Sequence, residues 1–175
     1  MDERLARART ELLIVQLRRG DAGAFGDLVE IWERRLFYYV RRIVRQEEDA
    51  WDVVQETWLK IHAGVLRLRD LSAFPAWMYR IARHTAISLL RKEQRCELLA
   101  EEDSRQEAMA ASDLAPFSAD EAELVHWGLD QLPLPQREAL TLFFLEGFPV
   151  SEIADITRVS GGTVKSRLHY GKRKL

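Results

Sequence analysis

Ser151-Glu-Ile-Ala-Asp-Ile-Thr-Arg-Val-Ser-Gly-Gly-Thr-Val-Lys-Ser-Arg-Leu-His-Tyr170 reads as a short helix, a tight turn and a second helix. Ile153, Ala154 and Ile156 give the first helix its buried side. Ser160 is a natural N-cap, because its hydroxyl can accept from a free backbone N–H of the next helix. Gly161 and Gly162 are expected to let the backbone turn sharply. Val164 and Leu168, four residues apart, pack back on the first helix and turn Lys165, Ser166, His169 and Tyr170 outward. From Arg158 onward the charged residues are Arg158, Lys165, Arg167, Lys172, Arg173 and Lys174, with no acid among them. This pattern predicts a helix-turn-helix whose second helix enters the DNA major groove. The alternative is an ordinary helical hairpin with a solvated basic face. The one-sided charge favours DNA.

The formal net charge of −2 does not by itself suggest a polyanionic partner. The charge is segregated, however. Between Glu93 and Glu123 ten acids face only Arg95 and Arg105, a local charge of about −8, so the remainder of the chain is basic. The 175 residues, 47 % of them hydrophobic, can bury one larger core or two small ones. Cys96 is the single cysteine, which excludes an internal disulfide and a cysteine-rich zinc site. No apolar run approaches the ~18 residues of a membrane span, so a soluble cytoplasmic protein without membrane insertion is expected.

Upstream, apolar residues recur at helical spacing and strand signals are scarce. Four helices are expected before residue 95, at about Arg4 to Arg19, Ala22 to Val44, Glu47 to Ala63 and Ala73 to Lys92. The second carries a stripe of Phe25, Leu28, Val29, Trp32, Leu36, Phe37 and Val40. The third turns Ala50, Val53, Val54, Thr57, Trp58 and Ile61 inward. The acidic stretch reads as a linker. A second domain follows, with a helix from Asp120 to Gln131, the break Leu132-Pro-Leu-Pro135, a helix from Gln136 to Glu146 and the helix-turn-helix. The expected fold is all-α: two small helical domains, 1–95 and 120–175, joined by an acidic linker at 96–119.

Two further helices carry chemistry. On the fourth, Phe74, Trp77, Met78, Ile81, Ala82, Thr85 and Leu89 form an apolar face. Arg80, His84, Ile87, Ser88 and Arg91 form the opposite stripe, flanked by Arg83 and Lys92, and no acid occurs from Ser72 to Lys92. Cations follow phosphates, and flat or flexible side chains stack on or cup unpaired bases. The third helix has the opposite sign, with Asp49, Asp52 and Glu56 on one face and Gln55 beside them. The helix macrodipole accounts for acids at the N-terminus, but not for Glu56, a residue that DNA would repel and a protein partner could use. Glu123-Leu-Val-His126 is half of a carboxylate-bridged di-iron motif, and the required second copy is absent from the sequence. No phosphate-cradling glycine loop and no nucleophile–base grouping is legible, so neither a cofactor, a metal nor an enzymatic activity is expected.

Together these parts resemble bacterial sigma factors of the extracytoplasmic-function (ECF) type. Gly20-Asp-Ala-Gly-Ala-Phe25 looks like the opening of that family's first conserved helix. Asp49-Ala-Trp-Asp-Val-Val-Gln-Glu-Thr-Trp58 is similar to the helix that grips the clamp helices of the RNA polymerase β′ subunit. Ala76-Trp-Met-Tyr-Arg-Ile-Ala-Arg-His-Thr-Ala-Ile-Ser-Leu-Leu-Arg91 looks like the segment that opens and reads the −10 promoter element. Leu132-Pro-Leu-Pro-Gln-Arg-Glu138 and Gly162-Thr-Val-Lys-Ser-Arg-Leu168 resemble the domain that reads the −35 element. The family often has Asn at the position of His84, Asp at that of Ser88, and glycine at that of Arg158.

The resemblance implies a promoter-specificity subunit that binds core RNA polymerase through Asp49, Asp52, Gln55 and Glu56. Melted −10 DNA would meet Arg67, Arg69, Ser72, Trp77, Arg80, Arg83, His84, Ser88 and Arg91. The −35 duplex would meet Ser160, Thr163, Lys165, Ser166, Arg167, His169, Tyr170 and Lys172. It also implies a linker that runs into the polymerase's positively charged channel, and an anti-sigma protein as a partner. A stand-alone helix-turn-helix regulator that binds duplex DNA without polymerase is the principal alternative. A protein-interaction module with a structural helix-turn-helix is another.

Overall fold

A computed structural model describes the backbone of residues 3–44, 46–100 and 127–174, and side chains within 5–44, 46–92 and 127–174. The described residues form helices and turns, with no strand among them. Four helices build the N-terminal domain: α1 (Glu3–Arg18), α2 (Gly23–Arg41), α3 (Glu47–Gly64) and α4 (Phe74–Ala100). Gly20, at φ +94°, turns the chain between α1 and α2 in a conformation that an L side chain resists. The indole of Trp32 on α2 is buried and donates to the Thr10 hydroxyl on α1 at 2.8 Å, so this fully buried ring keeps its polar atom satisfied. The inward set expected on α3 is buried in full: Ala50, Val53, Val54, Thr57, Trp58 and Ile61. Glu47, Glu48 and Asp49 occupy its first turn, where the macrodipole favours them.

Two boundaries differ from the sequence reading. α2 ends at Arg41, and the chain leaves it through a turn at Arg42 and Ile43. α4 continues past Lys92 to Ala100, into the first residues of the expected linker. Negative charge alone does not end a helix: Glu93 to Ala100 contains only good or neutral helix formers and neither glycine nor proline. Residues 101–119 of that linker, and most of the helix expected from Asp120 to Gln131, lie outside the described residues; 127–130 are helical.

In the C-terminal domain Pro133 and Pro135 stand at the start of α5 (Leu134–Leu140), where a missing N–H costs nothing. The single helix expected from Gln136 to Glu146 divides there. Thr141–Leu145 forms a wider π turn, closed by the Glu146 amide on the Thr141 carbonyl at 3.1 Å. Gly147, at φ +71°, then swings Phe148 inward, where it is buried. α6 (Val150–Thr157) and α7 (Gly161–Lys172) complete the chain.

The two domains share one apolar core. Leu142, Phe148, Ile153, Ile156 and Val164 are continuous with the N-terminal cluster, and α6 lies against α4. Phe148 meets Tyr79 edge to face at 5.0 Å, and Tyr79 meets Tyr39 at 4.9 Å. Consequently α4 buries Tyr79 and Ala86 as well as Phe74, Met78, Ala82 and Thr85, while Trp77, Ile81 and Leu89 are only half-buried. The face deduced from one packing partner is rotated because the helix has two.

Candidate nucleic-acid interface

Ser160 caps α7 as its residue type implies. Its hydroxyl oxygen accepts from the Thr163 amide at 3.1 Å and lies 2.9 Å from the Thr163 hydroxyl. Gly161 and Gly162 do not make the turn. They occupy the first turn of α7, and the left-handed residue between α6 and α7 is Arg158, at φ 55° and ψ 46°. The Val159 amide closes the end of α6 on the Ala154 carbonyl, 3.2 Å away. Val164 is fully buried, which directs Thr163, Lys165, Ser166, His169, Tyr170 and Lys172 outward, with Arg167 half-buried at the edge. His169 and Tyr170 meet edge to face at 5.4 Å, and Lys172 lies over the Phe144 ring at 5.4 Å. The outer face of α7 therefore offers hydroxyl donors and acceptors, two rings and cations, the inventory of a major-groove reader.

On α4, Arg80, His84, Ser88 and Arg91 are exposed along one stripe, and Arg67, Arg69 and Ser72 are exposed in the preceding loop. Two members of the expected set have other duties. The Ser72 hydroxyl donates to Asp70 at 2.7 Å and its amide donates at 3.0 Å. Those bonds hold the Asp70 carboxyl below the usual carboxylate range and fix the bend into α4. Arg83 is half-buried and turned from the stripe; its Nε donates to Glu138 of α5 at 2.7 Å. Trp77 is half-buried with its ring against Gly64, so tightly that a Cβ on Gly64 would lie 3.0 Å from it. The indole is a fixed wall beside the stripe.

On α3, Asp52, Gln55 and Glu56 are exposed and Asp49 is half-buried. Glu56 pairs with Lys60 at 2.7 Å, and Lys60 also donates to Thr85 of α4 at 2.9 Å. That lysine ties the acidic face of α3 to Thr85, on the buried side of α4. Leu59, 72 % exposed, continues the line of Asp52, Gln55 and Glu56 by another turn, an apolar member that a search for charge overlooks. Sequence reasoning also missed Tyr39, Tyr79, Glu138 and Glu146. Buried acids look like surface acids in a sequence, and their partners lie far away along the chain.

An exposed helix-turn-helix face, a separate basic helix and an exposed acidic stripe together define a helical DNA-binding protein. The match to known families is equally divided. Residues 28–96 match the Sigma-70 region 2 family and residues 128–175 match Sigma-70 region 4. The chain is 30 % identical to the RNA polymerase sigma-H factor of Pseudomonas aeruginosa, over 98 % of this chain and 94 % of that protein. It is 31 % identical to the ECF RNA polymerase sigma-E factor of Haemophilus influenzae, with 94 % and 92 % covered. Among solved structures, it resembles the sigma factor RpoE in complex with the anti-sigma factor NepR from Bartonella quintana. That match has a TM-score of 0.73 at 25 % identity and covers 86 % of this chain and 92 % of that one. The chain belongs to the sigma-70 family, among the sigma factors of the ECF type.

Proposed function

We propose that this chain is a promoter-specificity subunit that joins core RNA polymerase, reads −35 and −10 promoter elements and helps to melt DNA. The observation that carries this reading is the pairing of opposite faces on neighbouring helices. α3 exposes an acidic stripe (Asp52, Gln55, Glu56), and α4, packed against it, exposes a basic one (Arg80, His84, Ser88, Arg91). A DNA-only regulator has no use for the first of these, whereas a subunit that carries DNA to a polymerase uses both. The chain then acts by binding, and the chemistry belongs to the polymerase.

Asp49, Asp52, Gln55 and Glu56 would contact the clamp helices of the β′ subunit, with Leu59 as an apolar neighbour. The loop Arg67 to Ser72 and the stripe of α4 would hold the melted −10 strand against the edge of Trp77, through stacking and phosphate contacts. α7 would dock the −35 duplex, with Lys165, Ser166, His169 and Tyr170 nearest bases and Arg167 and Lys172 on phosphates. The division at 1–95, 96–119 and 120–175 follows that separation of tasks. An anti-sigma protein is proposed as a partner, supported by the similarity to RpoE, whose structure contains one. A cytoplasmic location follows from the tasks themselves.

Reconstitution with core polymerase and a promoter library tests the proposal. Promoter-dependent initiation is expected, and Asp52→Arg/Glu56→Arg should abolish it by weakening core binding. Normal core binding by that double variant would refute the role given to the acidic stripe. Tight operator binding by a dimer of the free chain, with no response to polymerase, would refute the sigma reading itself.

A further inference from the structure

Arg158 is the one cation between Ser151 and Val164, and it stands where the backbone least suits it. Its φ of 55° and ψ of 46° lie in the left-handed region. Glycine enters that region without steric penalty, and asparagine or aspartate enters it with help from a short polar side chain. Arginine has neither advantage. Nothing inside the protein offsets the strain. The residue is exposed, and its guanidinium makes no hydrogen bond, ion pair or ring contact among the described residues. Asp155, three residues earlier and also exposed, is the nearest acid in the sequence, yet no ion pair joins the two.

A backbone outlier kept without an internal reason points to function. The place of Arg158 says which. In a helix-turn-helix the first helix crosses the DNA backbone, and the N-terminal residues of the second enter the major groove. The turn that joins them therefore lies at the lip of the groove, against a phosphate strand. α7 has 12 residues, about 18 Å of helix, and the groove that it enters is about 12 Å wide. Its two ends accordingly face opposite walls. The C-terminal end carries Lys172, Arg173 and Lys174, all exposed. The N-terminal end begins Gly161-Gly162-Thr163 and has no cation of its own. Arg158, two residues before the Ser160 cap, supplies one.

We propose that Arg158 holds a DNA phosphate on the groove wall opposite to that met by Lys172, Arg173 and Lys174. This contact is the reason that a strained arginine stands in the turn. The proposal rests on the reading of α7 as a duplex-DNA reader, and not on the polymerase as partner. Arginine suits the task because its planar guanidinium can meet two phosphate oxygens at once. The contact carries affinity and register but no sequence information. The strain is then a cost in the free chain that DNA binding offsets.

Salt-dependent duplex binding by the full-length chain tests the contact, with the chain free and assembled with core polymerase. One duplex carries a −35 element selected from a promoter library, and a second has that element scrambled. Arg158→Gly and Arg158→Ala should both weaken binding, by about tenfold at about 50 mM salt and about threefold at about 200 mM. That convergence follows because one phosphate contact contributes about 0.9 to the slope of log affinity against log salt. The loss should be equal on the two duplexes, and Arg158→Lys should keep the wild-type slope. Thermal unfolding separates side chain from backbone. The glycine variant should melt higher than wild type, whereas the alanine variant, which keeps a Cβ, should not. A wild-type slope in both of these variants overturns the proposal, whatever their affinity, and so does a loss confined to the −35 duplex. Promoter-dependent initiation is scored separately. Duplex binding with the expected slopes but no initiation sinks the sigma reading and leaves the phosphate contact standing. Initiation with wild-type slopes in the variants does the reverse, and no duplex binding in either form sinks both.

Discussion

Arg158 is the residue where local strain is greatest in the DNA-reading domain. It holds φ 55° between α6 and α7, a conformation that crowds the Cβ of any L residue other than glycine. Arg158→Gly should raise stability by about 1 kcal/mol, the usual relief of a left-handed side chain less the entropy of a new glycine. Thermal unfolding checks this, and a lower Tm would show that the arginine side chain contributes more than its backbone costs. The sequence placed an arginine where relatives in the family often have glycine, so the position itself was legible. Its conformation was not, because Gly161-Gly162 offered a cheaper turn three residues later. Ser160 prevented that choice. By capping α7 it drew both glycines into the helix. The buried acids failed to be legible for a different reason. Glu138 and Glu146 are ordinary helix residues until Arg83 and Arg35, 55 and 111 positions away, are brought to them by the fold.

Helices were the most readable unit because each is defined by its own periodicity. The buried set of α3 follows directly from an i, i+3, i+4 pattern. α4 was read correctly on its exposed stripe and less well on its buried face, since a second packing partner covers Tyr79 and takes Arg83. The approach of α7 to α5 has no signature except one glycine. A Cβ on Gly171 would lie 2.9 Å from Leu140 Cδ1 and 3.5 Å from Gln136 Cβ, and Leu140 is itself buried. Gly171→Ala should therefore push α7 away from α5 and destabilise the domain by about 1–3 kcal/mol, the cost of overpacking. Chemical denaturation measures it; an unchanged midpoint would show that Leu140 can move aside. The outer face of the same helix gives a separable effect. If Lys165 reads a base, Lys165→Ala should cost ~1–3 kcal/mol of selectivity at one −35 position. A uniform loss across sequences, with a shallower salt dependence, would assign it to phosphate instead.

In the whole molecule, the interdomain face makes closure depend on pH in a direction that the tyrosines fix. Burial is the main reason that the hydroxyls of Tyr39 and Tyr79 are pushed well above the ordinary phenol value of 10.0, reinforced by the neighbouring carboxylates. Glu138 raises Tyr39 and Glu146 raises Tyr79, while Arg83 and Arg35 respectively oppose them. When the domains part, the three groups of each cluster (Tyr39, Glu138 and Arg83; Tyr79, Glu146 and Arg35) return toward water, and the phenols ionise at about 10. Above that pH the open chain holds fewer protons than the closed one, so alkali favours opening. The stabilisation is whole below about pH 10 and is lost as pH rises toward the closed-state values, by ~1.4 kcal/mol per pH unit for each tyrosine involved. Two tyrosines titrating together make the transition steep. An alkaline titration that follows phenolate absorbance and radius of gyration on one sample should find ionisation of these two groups and expansion of the chain occurring together. Tyr39→Phe/Tyr79→Phe should begin less tightly closed and expand less steeply with pH. Ionisation of Tyr39 and Tyr79 near pH 10 in a chain that stays compact would mean that these two hydroxyls exchange protons freely with solvent. A face of that kind could not distinguish a closed molecule from an open one by the burial of its hydroxyls, and the preference for closure would then rest on the apolar contacts around Phe148 alone.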